Sequence, residues 1–114
     1  MQGPRFLSLA FTLMQQWASL NLPEQWKRVD APVPIAYGTS DYISSIADDA
    51  YLADLINSFH PGRATVKAIT AMDHYLTKAA TMEESISRKP GTRIEFEPAV
   101  LEVIKAWLKE SMSR

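Results

Sequence analysis

Two short apolar runs that each stop at an ionisable residue constrain this chain more than any other feature of it. The first covers residues 33–37, Val33-Pro34-Ile35-Ala36-Tyr37, and ends in Gly38-Thr39-Ser40-Asp41. The second covers residues 63–71, where Val66, Ala68 and Ile69 stand among Thr65, Lys67 and Thr70, and Met72-Asp73-His74 follows. Apolar and β-branched residues bounded by turn formers predict two strands, the second with one face partly exposed. Pro34 has no backbone donor, so it belongs at a strand's start or where that N–H is not needed. Between the runs, Ile46, Ala47, Tyr51, Leu55 and Phe59 recur at helical spacing. Ser44, Ser45 or Asp48 is placed to cap that helix, and Pro61-Gly62 ends it. Strand, helix, strand is the pattern of a βαβ unit, with parallel strands and a right-handed crossover.

Helices are predicted on both sides of this unit. Phe6, Leu9, Ala10, Leu13, Met14, Trp17 and Leu20 repeat at intervals of three and four, which predicts a helix with one buried face. Arg5 and the apolar stretch behind it resemble a short signal-peptide core, but Gln15-Gln16-Trp17 supplies no small-residue cleavage site, and the stretch is too short to cross a bilayer. Asn21 and Pro23 stop the helix, and residues 22–27 form one further short turn or helix carrying Trp26. Asp48, Asp49 and Asp54 read as a solvated helix face. A polar stretch with Pro and Gly, residues 81–93, is expected to be a mobile loop whose first residues extend a short helix. After Pro98, Val100, Leu101, Val103, Ile104, Trp107 and Leu108 mark the inner side of a last helix, with Lys105 and Lys109 toward its C-terminal end.

The expected organisation is therefore one α/β domain over residues 1–114: a helical segment at 1–29, the βαβ unit at 30–75, a loop region at 76–97 and a C-terminal helix at 98–112. With 46% hydrophobic and 22% charged residues, a chain of 114 residues has enough apolar material for a single core. Twelve Lys and Arg against 13 Asp and Glu leave no basic stripe, so no nucleic acid and no membrane surface is expected as a partner. The absence of cysteine removes disulfides, thiolate metal sites and a Cys nucleophile, and suits a cytoplasmic location. No loop that would cradle phosphate is present, and no cofactor is implied. Asp73, His74 and the distant His60 lack the spacing of a metal-ligand set.

Asp41 and His74 are the candidate catalytic residues. Each lies just beyond the C-terminal end of a predicted strand, where open α/β sheets place their sites. Parallel neighbouring strands about 5 Å apart bring such ends together. A carboxylate there accepts the imidazole Nδ1–H and leaves Nε2 facing outward as a general base.

The stretches VPIAYGTSDY (residues 33–42) and ATVKAITAMDH (residues 64–74), in that order, resemble the last two strands of α/β-hydrolases, and the helix after Pro98 is similar to that family's closing helix. The resemblance implies a partial α/β-hydrolase fold with Asp41 as triad acid and His74 as triad base, in an enzyme hydrolysing esters, amides or related acyl substrates. The family's nucleophile elbow, G-x-S-x-G, is absent from these residues. Gly38-Thr39-Ser40-Asp41-Tyr42 matches its first three positions only, with Tyr42 in place of the second glycine, so Ser40 reads as a turn residue. An acid–base pair without nucleophile and oxyanion donors is expected to be incompetent alone.

In that family's sheet the acid-bearing strand is paired on both sides, so residues 33–37 would present a bare edge. A bare apolar edge is a template for pairing. The expected remedy is a complementing chain or a homodimer in which residues 33–37 pair antiparallel with their copy. A non-catalytic, hydrolase-derived module stabilised as such a homodimer is the alternative to the enzymatic reading.

Overall fold

The computed structural model describes residues 4–113, with side chains from Ser8 onward. Its elements run α1 (Pro4–Ser19), α2 (Leu22–Lys27), β1 (Val33–Gly38), α3 (Ile46–Phe59), β2 (Ala64–Ile69), α4 (Met82–Ile86) and α5 (Ala99–Met112). The two strands form a parallel two-stranded sheet in the register Val33 to Ala64 through Gly38 to Ile69. The fold is thus a small α/β unit with the sheet between α3 and α5.

The parallel ladder assigns every backbone group of β1 to a side. Val33 N–H donates to Arg63 O at 2.8 Å, and Thr39 N–H to Ile69 O at 3.0 Å. Odd-numbered residues therefore bond β2, whereas Pro34, Ala36 and Gly38 face the open edge. Pro34 stands where its missing donor breaks no ladder bond, and it blunts that edge. The far edge of β2 is blunted by α3: the Asn57 side-chain amide donates to Ala64 O at 3.0 Å and accepts from Ala64 N–H at 2.8 Å.

Ala53, Ile56 and Ala64 form the core on one face, with Trp26, Val33, Ile35, Leu52 and Val66 packed around them. Ser45 caps α3 by accepting Asp48 N–H at 3.2 Å. The buried face of α3 differs from the one its periodicity predicts. Tyr51 is 67% and Ile46 45% exposed, whereas Ala53 and Ile56 are buried. Apolar residues occur almost all round this helix, so the spacing did not fix its phase; the short side chain of Ala53 permits close approach to the sheet. Asp49 is half-buried rather than fully solvated, and burial, reinforced by the charges of Asp41 and Asp48, raises its pKa.

On the other face, Ile69, Met72 and Val100 form a second cluster, joined by Ala99 and Val103. The stripe predicted on α5 splits. Val100, Val103 and Trp107 turn toward the sheet, while Leu101, Ile104 and Leu108 remain exposed. A groove of about 580 Å³ lies between α5 and the sheet, lined by Pro34, Thr65, Lys67, Val103, Ala106 and Trp107 among others.

The largest correction concerns α1. Helix periodicity and the side-chain bonds Thr12 Oγ1 to Ser8 O (2.8 Å) and Ser19 Oγ to Gln16 O (2.7 Å) are both present. The face expected to be buried is not: Leu9, Leu13, Met14, Trp17 and Leu20 are exposed, Trp17 by 68%. Amphipathic spacing shapes a helix but does not supply the opposing surface. Phe6 lies outside the described side chains. The radius of gyration, 17.5 Å, exceeds the ~13 Å of a compact chain of this length, as a protruding helix requires. The short helix α2 covers residues 22–27, with Asn21 accepting Glu24 N–H at 3.3 Å. Among the described residues, no helix is long and apolar enough to cross a membrane.

Candidate functional site

The two strand ends close on each other through a point where no side chain fits. A Cβ on Gly38 would lie 2.2 Å from Met72 O and 2.8 Å from the Met72 carbonyl carbon. Glycine is therefore required for the backbones to approach. Beyond it the turn is tied to the neighbouring segment bond by bond. Ser40 N–H donates to Met72 O at 2.9 Å, Ala71 N–H to Thr39 Oγ1 at 2.9 Å, and Ser40 Oγ to Ala79 O at 2.6 Å. Ser40, 1% exposed and committed to that carbonyl, is a structural hydroxyl.

This arrangement brings Asp41 and His74 together, with Asp41 Oδ2 2.9 Å from His74 Nδ1. The carboxylate is nearly buried, its side chain 9% exposed, while the imidazole is open at 42%. Asp41 Oδ1 accepts Ile43 N–H at 2.8 Å and Ser44 N–H at 3.0 Å, and Oδ2 accepts Ser44 Oγ–H at 2.9 Å. Burial pushes the Asp41 pKa up, but the bonds from Ser44, His74 and Ile43 together outweigh it, and the net shift is downward. An ionised carboxylate only accepts, so the proton of the neutral imidazole sits on Nδ1 and Nε2 is left basic. Ser44 Oγ is 3.4 Å from Nδ1, on the acid's side of the ring, where it supports the carboxylate and cannot serve as nucleophile to Nε2.

Two phenols border the pair. The Tyr75 ring meets the His74 ring edge-on, with centroids 5.8 Å apart and planes at 89°. The Tyr42 phenol is held above its ordinary pKa by a hydrogen bond with Tyr75 first, then by burial and the nearby charges of Tyr75, Asp73 and Asp41. Both rings are exposed. They give the mouth of the site amphipathic walls.

Sequence spacing gives Asp73 no metal-ligand role, and the structure gives it a different one. Its side chain is fully buried, and its oxygens accept from Tyr75 N–H (3.0 Å), Thr77 N–H (3.0 Å), Thr77 Oγ1 (2.8 Å), Ser85 Oγ (2.7 Å) and Arg88 Nη1 (3.0 Å). Burial raises its pKa, and the bonds from Ser85, Thr77 and Tyr75 bring it below the ordinary carboxylate value. His60, far along the chain, donates its Nε2–H to Lys27 O at 2.7 Å instead. Among the described residues no cluster of three or more His, Asp or Glu is arranged to hold a metal. The segment 81–93 contains α4 and delivers Ser85 and Arg88 to Asp73, so its polar composition hid an anchored stretch. An acidic residue directly before the candidate base, with Thr four positions on, was the one available signal.

Chemically, the site offers an oriented imidazole with a fixed tautomer and an ionised partner. No protein-family model, curated protein or solved structure matches the chain.

Proposed function

We propose that Asp41 and His74 form the acid and general base of an acyl-hydrolase site of the serine-hydrolase type, with nucleophile and oxyanion donors supplied from outside the described residues. The observation that carries this reading is the 2.9 Å contact between Nδ1 of an exposed imidazole and a nearly buried carboxylate at adjacent parallel strand ends. The resemblance of residues 33–42 and 64–74 to the last strands of α/β-hydrolases points the same way. In this role Asp41 holds the tautomer and stabilises the imidazolium, and Nε2 takes the nucleophile's proton. Neither Ser40 nor Ser44 is presented to Nε2, so the isolated chain should hydrolyse esters only slowly, through the imidazole itself. A nitrophenyl-ester assay on the purified chain tests it: His74→Ala should abolish that slow rate and Asp41→Asn should reduce it. Equal rates in all three proteins would defeat the proposal.

A second reading, a non-catalytic hydrolase-derived homodimer, rests on the open edge of β1. Pairing two copies antiparallel about Ala36 would use its N–H and C=O reciprocally and let each Pro34 carbonyl accept a Gly38 N–H. Gly38 O already accepts Asp41 N–H at 3.1 Å, so the donor Pro34 lacks would not be missed there. Ala36→Pro removes a donor from that edge while leaving the ladder to β2 intact. Light scattering that finds a dimer in the wild type and a monomer in Ala36→Pro supports this reading; a wild-type monomer at high micromolar concentration sinks it.

A further inference from the structure

We infer that the buried Asp73–Arg88 pair positions the proposed base: it grips the 73–77 turn from inside and from the α4 side, and so sets where His74 stands against Asp41. The inference rests on the acid–base reading of that pair. His74 is the second residue of a turn whose closing bonds all meet at Asp73. Oδ1 gathers the N–H of Tyr75, the N–H of Thr77 and the Thr77 hydroxyl, while Asp73 N–H donates to Thr77 O at 3.0 Å and Leu76 N–H to Asp73 O at 3.1 Å. Leu76 is held at φ 62°, a left-handed conformation that a leucine adopts only under such constraint.

Oδ2 fastens this turn to the next segment through Ser85 and Arg88. Arg88 reaches three points of the turn at once. Its Nη1 donates to Asp73 and, at 2.8 Å, to Thr77 Oγ1, and its Nη2 donates to Lys78 O. A planar guanidinium suits this forked demand, which an ammonium meets only in part. Replacing Arg88 would leave a buried, uncompensated carboxylate directly beside the base. None of these groups touches Nε2, so their role is positioning.

The test reads the imidazole itself. In folded wild-type protein, nitrogen NMR in alkaline buffer should show His74 in the Nδ1–H tautomer, with slow exchange of that proton. Arg88→Gln should raise the Nε2–H fraction and speed Nδ1–H exchange roughly tenfold, the weight of one hydrogen bond of ordinary net strength. Arg88→Lys should recover part of both effects. Amide signals of β1, β2 and α3 report whether the fold persists. A pair serving stability alone would lower the unfolding midpoint and leave tautomer and exchange of the folded protein unchanged, and that result overturns the inference. If Arg88→Gln does not fold, Ser85→Ala decides: a shift in the same direction supports positioning, and an unaltered imidazole overturns it. Asp41→Asn separates the two claims. An imidazole sensitive to Asp41→Asn but indifferent to Arg88→Gln sinks only the positioning role, whereas indifference to Asp41→Asn overturns both.

Discussion

The C-terminal end of the sheet and the helix α1 present opposite solutions to the same problem of placing side chains. At the sheet end, polar residues are buried and every one is satisfied: Ser40, Asp41, Asp73, Thr77 and Ser85 are inside, and among the described residues no buried side-chain polar atom lacks a partner. Along α1, apolar residues are outside: Leu9, Phe11, Leu13, Met14 and Trp17 are all more than half exposed. The polar cluster is over-determined by directional bonds, and the apolar helix is under-determined because hydrophobic burial needs an opposing surface and no other described element packs against α1. Stability should therefore reside in the βαβ unit and its strand ends, while α1 should contribute almost nothing to it.

The largest effect should come from the centre of the core. Ile56 is fully buried against the sheet, and Ile56→Ala should lower unfolding free energy by about 2–5 kcal/mol, a large part of the stability of a small domain. Urea denaturation checks it, and a loss under about 1 kcal/mol would contradict a core centred on α3. Gly38→Ala comes next. Its Cβ would meet the Met72 backbone, which has no rotamer to change, so overpacking there should destabilise by about 1–3 kcal/mol and weaken the His74 to Asp41 contact as well. A Gly38→Ala protein as stable as wild type would show that the strand ends close differently.

The βαβ pattern, the bounds of α2, a cap for α3 among Ser44, Ser45 and Asp48, and the placing of Asp41 and His74 at adjacent strand ends were legible because each rests on local spacing and turn chemistry; which of the three caps was decided only in the structure, by Ser45. The faces of α1 and α3 were not. Periodicity defines a stripe, and only a partner surface decides whether it is covered; on α3, apolar residues on several sides left the choice to the small volume of Ala53. The Asp73 cluster was illegible for another reason. It joins residues 73, 77, 85 and 88 across a segment whose Pro, Gly and polar residues look like a mobile loop, and no spacing rule announces a buried carboxylate with five donors. The groove beneath α5 was equally hidden, since it arises from how far that helix stands off the sheet.

Acid should distinguish the two regions. Asp41 and Asp73 both have folded pKa values below the ordinary 3.8. The unfolded chain then binds protons more readily than the folded one, so their contribution is complete above the ordinary value and is lost as pH falls through the folded values. Unfolding midpoints should decline below about pH 4, and Asp73→Asn, less stable at neutral pH, should show a shallower decline. Between Arg5 and Glu24 the chain carries no ionisable side chain, so α1 gives acid nothing to act on. A decline of undiminished steepness in Asp73→Asn would remove Asp73 from this account.

The smallest expected effect is the sharpest test of the contrast. Trp17 lies on the exposed stripe of α1, whereas Trp26 packs on the α3 core and Trp107 is half-buried under α5. Trp17→Gln should change unfolding free energy by no more than about 0.5 kcal/mol, as for other surface positions. The same substitution should remove the indole most accessible to a neutral quencher such as acrylamide, so the fluorescence that remains should be harder to quench. If Trp17 instead covers apolar surface in solution, the loss should approach the ~3–5 kcal/mol of a buried aromatic, and quenching of the remaining indoles should rise as their cover is removed. The two outcomes differ in sign for quenching and by several-fold in stability, so a single variant decides whether the stripe on α1 is bare.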